Sequence, residues 1–151
     1  RLLLKTVGAV PEGGDAIPFG QAAVRTQGND ATVVALTAMV QQCVEVSTTL
    51  AADQISIEVI DPRTVAPLDM GTILASVRKT GRLLIVDESF SPCGVGAEIA
   101  TRMVEEAFDD LKAPIKRVAI PDVPIPYHAS EEAYITPSVE GIIAAANQIC
   151  R

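Results

Sequence analysis

Tryptophan is absent from this 151-residue chain, and aromatic side chains make up only 3% of it. The core must therefore be filled by Val, Ile, Leu and Ala, a palette that suits a sheet covered by helices on both faces. Positive charge is scarce too: 12 Lys and Arg stand against 19 Asp and Glu, for a net charge of −7. Phosphate neutralisation needs clustered cations, so the balance argues against a nucleic-acid partner. The small group Arg78, Lys79 and Arg82 reads as a solvated helix end. No apolar run reaches the roughly 18 residues of a membrane-crossing helix, which argues against a membrane partner. The opening RLLLKTVGAV is basic and briefly apolar, but it is short and lacks a cleavage site. Cys43, Cys93 and Cys150 lie far apart with no CxxC pair. That is neither a disulfide framework nor a zinc signature, and reduced thiols in the cytoplasm are the default.

The motifs of several common chemistries are also missing. There is no GxxxxGK[ST] phosphate loop, and no GxSxG elbow surrounds Ser89 or Ser91. Gly94-x-Gly96 lacks the third glycine of a dinucleotide fingerprint, and the strand before it is expected to end early, at Val86. Tight turning between strand and helix is the simpler role for both glycines. No metal-ligand cluster has the usual spacing.

What is present is a globular chain. Apolar residues make up 48% of it, and a domain of this length buries roughly 70% of its unfolded surface. Residues 1–21, punctuated by Pro11, Gly13-Gly14, Pro18 and Gly20, read as a linker or leader from an upstream domain. Residues 22–151 form the domain itself. An edge strand is expected at 23–26, turned back by Gly28-Asn29-Asp30 into a first core strand at 32–36. A helix from Met39 to about Ala52 follows, with Met39, Val40, Cys43, Val44, Ser47, Leu50 and Ala51 as its apolar stripe. Further strands are expected at 55–60, 83–86 and 115–120. Further helices are expected at 70–79, capped by Asp69 and stopped by Gly81, and at 97–111. In the last of these, Ile99, Met103, Ala107 and Leu111 form one ridge with Ala100, Val104 and Phe108 beside it. A stiff crossing, IPDVPIPYH, leads to a final helix capped at Thr136 with Pro137 in its first turn. Helices separate the strands throughout. The fold class is α/β, a three-layer α/β/α sandwich with a mostly parallel sheet and an antiparallel edge strand.

Candidate functional residues follow the strand ends, where such folds place them. Asp61 and Arg63 could grip a ligand carboxylate or phosphate, or could fix the loop by an ion pair or hydrogen bonds. Asp87 and Glu88 are an acid–base pair only if both point one way, which adjacent strand residues do not. His128, the single histidine, is a general base only if a substrate or nucleophile is positioned beside it; otherwise it is surface or interface packing. No catalytic, cofactor-binding or metal-binding set is complete.

Several stretches taken in order resemble one family. They are VPEGGDAIPFGQAAVRTQGND, ATVVALTAMV, IEVIDPRTVAPLD, SVRKTGRLLIVDES, GVGAEIATRMVEEAF, PDVPIPY and Ile135-Thr136-Pro137. The set resembles the C-terminal domain of transketolase-like thiamine-diphosphate enzymes. It is most similar to that of the beta subunit of the E1 component of 2-oxo acid dehydrogenase complexes, the pyruvate, branched-chain 2-oxo acid and acetoin dehydrogenases. Cys93-Gly94 stands where the family often has Gly-Gly, and Glu131 where it often has Leu.

The resemblance implies an assembly and interface domain whose isolated form is inactive. It implies oxidative decarboxylation of a 2-oxo acid by the full enzyme, with acyl transfer to the lipoyl group of the E2 acyltransferase. Thiamine diphosphate and magnesium would be bound by other domains. The expected partners are the E1 alpha subunit, a second E1 beta subunit and the subunit-binding domain of E2, in the cytoplasm or the mitochondrial matrix. Within that reading Asp61 and Arg63 hold a loop, and Asp87, Glu88, Gly94 and Gly96 are structural. Glu98 favours a helix N-terminus, and Pro124, Pro126, Tyr127 and His128 shape an interface. A transketolase or deoxyxylulose-phosphate synthase C-terminal domain, a free-standing anion-binding module and a purely structural domain are the alternatives.

Overall fold

The computed structural model describes residues 7–8, 12–13 and 16–151. The expected leader therefore falls partly outside the described residues. The strands are β1 (Ala23–Thr26), β2 (Ala31–Ala35), β3 (Ile57–Asp61), β4 (Leu83–Phe90) and β5 (Lys116–Ile120). The helices are α1 (Met39–Ala52), α2 (Met70–Thr80), α3 (Val95–Ala107), α4 (Ala129–Ile135) and α5 (Val139–Cys150). The sheet order is β1-β3-β2-β4-β5, parallel except for β1, which runs antiparallel to β3. This is the expected α/β/α sandwich with an antiparallel edge.

All five residues of β2 are buried, as a strand with a partner on each edge and a helix layer on each face must be. The two-residue period of the strands divides the core. Ala31, Val33 and Ala35 face α1 and α5 with Ile57, Val59, Leu84 and Val86. Val34 and Leu36 face α2 and α3 with Ile60, Leu83 and Ile85. Thr32 is buried on the α2 side, where its hydroxyl lies 2.7 Å from that of Ser76 and 2.8 Å from that of Thr80. The buried carboxylate of Glu58 is paired there by Lys79. Each polar group in this layer thus has a partner, without which burial is costly.

The expected hairpin between β1 and β2 does not form. β1 pairs with β3 instead (Val24 with Ile60), because both edges of β2 are taken by parallel strands. Gly28-Asn29-Asp30 carries the chain across the start of β3 rather than turning it back. Asn29 donates its amide to Ser56 Oγ at 3.0 Å, and Ser56 donates its own amide to Asp30 Oδ2 at 2.7 Å. A Cβ on Gly28 would lie 2.2 Å from the carbonyl carbon of Ile57, so the crossing needs glycine.

Other expectations shift for local reasons. β4 runs four residues past Val86, because after a register shift Phe90 pairs with Ile120 and the Ser91 amide donates to the Ile120 carbonyl. α3 begins at Val95 and gives way to a single 3-10 turn, Phe108–Asp110. That turn takes Phe108 off the buried face, leaving it 66% exposed, and Val104 is exposed as well. In α1 the inward position goes to Val46, while Ala51 is exposed. α4 was not foreseen. Thr136 closes it by donating to the Glu132 carbonyl, so the cap of α5 is Ser138, which accepts from the Gly141 amide. Asp69 and Gly81 cap and stop α2 as expected, Asp69 accepting from the Thr72 amide and Gly81 adopting φ 77°.

Two glycine substitutions should move stability in opposite directions. Gly28→Ala forces backbone apart and is expected to cost about 3 kcal/mol or more in urea unfolding. Gly71, in the first turn of α2 with only Asp69 Oδ1 near its absent Cβ at 3.6 Å, should gain about 0.5–1 kcal/mol as alanine.

Candidate functional site

Parallel strands deliver their carboxyl ends to one edge of the sheet. β2 leads there to Thr37, β3 to Asp61–Arg63, β4 to Glu88 and the 91–94 loop, and β5 to the proline-rich crossing. Asp87 and Glu88 lie within the final stretch of β4 and the other candidate residues at or beyond a strand end, but the structure does not gather them into one site. Among the described residues, three of the four non-glycine residues with positive φ also lie there: Thr37 (52°), Arg63 (59°) and Cys93 (57°). Such a backbone is costly for L side chains, and most of all for a β-branched residue such as threonine.

Asp61 and Arg63 fix their loop through the main chain. The Arg63 amide donates to Asp61 Oδ1 at 2.9 Å, and the Arg63 guanidinium is left out of that contact. Thr64 extends the lock, donating its hydroxyl to the Pro67 carbonyl at 2.7 Å and accepting the Gly20 amide at 2.9 Å. Beside this loop lies a cleft of about 430 Å³ between the ends of β2 and β3. Its polar lining is Arg25, Thr37, Gln41, Asp61 and Arg63. Sequence reasoning missed Arg25, Thr37 and Gln41. Thr37 could have been found as the residue just beyond a strand end, whereas Arg25 arrives only because β1 pairs with β3.

Asp87 and Glu88 point to different partners. Asp87 is buried and accepts from both the amide and the hydroxyl of Ser89, whereas Glu88 Oε1 accepts the Thr37 hydroxyl at 2.6 Å. No shared proton joins them. Gly94 precedes α3, and a Cβ there would lie 2.4 Å from the Phe90 carbonyl oxygen. Gly96 lets α3 approach Ile85. Glu98 sits in the first turn of α3. Pro124, Tyr127 and His128 are exposed and Pro126 is half-buried. His128 Nδ1 lies 2.8 Å from Ser130 Oγ on an exposed helix end. Among the described residues, no group of three or more His, Cys, Asp or Glu is placed to hold a metal ion. Nor is any helix there long and apolar enough to cross a membrane.

The cysteines differ in reach. Burial pushes the Cys43 thiol up to about 12 and raises that of Cys150, while Cys93 is exposed. Two carboxylates are held below their ordinary range. Asp30 is lowered by the Ser56 amide and hydroxyl, against the effect of burial and with help from Arg82. For Asp69 burial acts upward but is outweighed by the Ala22 amide and by the hydroxyl and amide of Thr72.

Residues 20–142 match the family model described as "Transketolase, C-terminal domain". Among curated proteins, the chain is 44% identical over 135 residues to pyruvate dehydrogenase E1 component subunit beta-2, mitochondrial, of Oryza sativa subsp. japonica. That match covers 89% of the chain and 36% of the relative. The chain is 42% identical over 141 residues to acetoin:2,6-dichlorophenolindophenol oxidoreductase subunit beta of Cupriavidus necator, covering 93% of the chain and 42% of the relative. It thus spans well under half the length of either. Among solved structures, a split-gene transketolase described as an inactive beta4 tetramer superposes with a TM-score of 0.80 at 24% identity, covering 95% of this chain and 46% of that one.

The depressed carboxylates set an acid limit. Because their folded pKa values lie below the unfolded one, their stabilisation is complete above about pH 5 and is lost as pH falls through the unfolded and then the folded values. Urea unfolding followed from about pH 5 downward should show stability falling, and Asp69→Asn should make that fall shallower.

Proposed function

The chain belongs to the transketolase C-terminal domain family, and from that membership we propose that it is the C-terminal assembly domain of a 2-oxo acid dehydrogenase E1 beta subunit. The observation that carries this reading is identity above 40% to pyruvate dehydrogenase E1 beta subunits across about nine-tenths of the chain. The transketolase likeness, at 24% identity, speaks for the fold alone. The full enzyme decarboxylates a 2-oxo acid and passes the acyl group to the lipoyl group of E2, in the cytoplasm or the mitochondrial matrix.

Thiamine diphosphate supplies the carbanion chemistry of such enzymes. On this reading thiamine diphosphate and its magnesium are bound by other domains of the full enzyme. This domain contributes surface. Ile125 is 53% exposed, Tyr127 98% and Tyr134 90%; the first two lie in the proline-rich crossing after β5 and the third on α4. Large apolar groups left in water over one segment mark an interaction face. The E1 alpha subunit, a second beta subunit and the E2 subunit-binding domain are the partners this reading assigns to the domain.

Produced as part of its complete reading frame and mixed with an E1 alpha subunit, thiamine diphosphate, magnesium and lipoylated E2, the protein should acylate E2 from a 2-oxo acid. The 151-residue chain alone should be inactive, and decarboxylation by it alone would overturn the proposal. Ile125→Asp with Tyr127→Asp should weaken assembly at least tenfold in sedimentation. The unfolding free energy of the isolated chain should change by no more than about 0.5 kcal/mol, as for other surface changes.

A further inference from the structure

We propose that the cleft between the carboxyl ends of β2 and β3 binds a small anion, a carboxylate or a phosphate, on the guanidinium groups of Arg25 and Arg63. The chain as a whole repels anions, with 19 acidic residues against 12 basic. Two arginines nevertheless line this one cleft, and among the described residues neither guanidinium is taken up by an ion pair or a hydrogen bond. Asp61, the one carboxylate in the lining, already accepts the Arg63 amide. Glu88 accepts the Thr37 hydroxyl and does not line the cleft.

Three separate irregularities converge here. β1 slips register against β3 between Val24 and Thr26, so Arg25 is the extra residue of a bulge. Bulges re-aim side chains and are enriched beside functional sites. Arg63 and Thr37 both hold positive φ, and backbone strain of this kind persists where the surrounding structure enforces it. The guanidinium fork matches a carboxylate or phosphate in two parallel hydrogen bonds. Gln41 adds a side-chain amide that has no partner among the described residues. Leu36, Val40, Pro62 and Val65 supply an apolar wall for a carbon skeleton. The cleft, about 430 Å³, is of the size that takes a metabolite, and it opens at the sheet edge where α/β folds bind ligands.

The test titrates the nitrogen-15-labelled chain with inorganic phosphate and, separately, with succinate, at ionic strength held constant by sodium chloride. Saturable shifts centred on the Nε signals of Arg25 and Arg63 and the amides of Thr37 and Gln41 are expected. Arg63→Gln and Arg25→Gln should each weaken binding at least tenfold, and Arg63→Lys should weaken it less. Arg102→Gln on α3 should change nothing. Saturation by phosphate only, by succinate only or by both supports the proposal and says which oxyanion is preferred. Thermal melting verifies that each variant is folded. Shifts that never saturate, or Arg63→Gln binding like the parent, overturn it. So does protection of the cleft amides from hydrogen exchange in the assembled longer protein before any anion is added, which would identify a protein surface as the occupant.

Discussion

β2 has no solvent-facing side. Parallel partners occupy both of its edges and a helix layer covers each of its faces. A strand so placed can expose no polar group to water, and it fixes everything around it. Its alternate residues set which helices form which layer. Its one polar side chain, Thr32, requires the hydroxyls of Ser76 and Thr80 opposite it. With no free edge, it sends β1 to the far side of β3. Exclusion of water from the centre thus determines the order of the sheet.

From that order follows the division of labour around the carboxyl edge. The loops there emerge from a rigid parallel frame, so their conformations can be strained without unfolding the domain. Strained residues follow three neighbouring strands, yet the polar groups beside them are spread rather than gathered. Asp87 is spent on Ser89, Glu88 on Thr37, and the Asp61 carboxylate on the Arg63 amide. What these contacts leave free is cationic: two guanidiniums in one cleft. Ile125, Tyr127 and Tyr134 are left in water elsewhere, on the segment between β5 and α5. The domain thus presents two surfaces of different chemistry, an exposed apolar segment proposed to take protein and a cationic cleft proposed to take a small anion.

The sequence was most readable where local chemistry and burial agree. Asp69 and Gly81 bracket α2 because a side-chain acceptor and a left-handed glycine serve a helix end in any tertiary setting. Readability failed where a residue's role depends on a distant chain. Gly28 looks like a hairpin glycine until Ile57 is beneath it. Asp87-Glu88-Ser89 looks like a strand end until β5 extends the pairing past it. Thr136-Pro137 looks like a helix start because the preceding helix is polar, with no buried face to give it an apolar period. Of the cleft, Asp61 and Arg63 were visible as residues at a strand end. Arg25 was not, because nothing near it in sequence reports which strand β1 joins.

The amino-acid sequence alone determined the alternation of strand and helix, the parallel sheet and the family resemblance. Each of these rests on apolar periodicity and on motifs carried by neighbouring residues. Tertiary structure alone decided the partner of β1, the bulge that places Arg25, the length of β4 and the pairing of Thr37 with Glu88. These depend on contacts between residues tens of positions apart, which the packing of the sheet selects and no local pattern encodes.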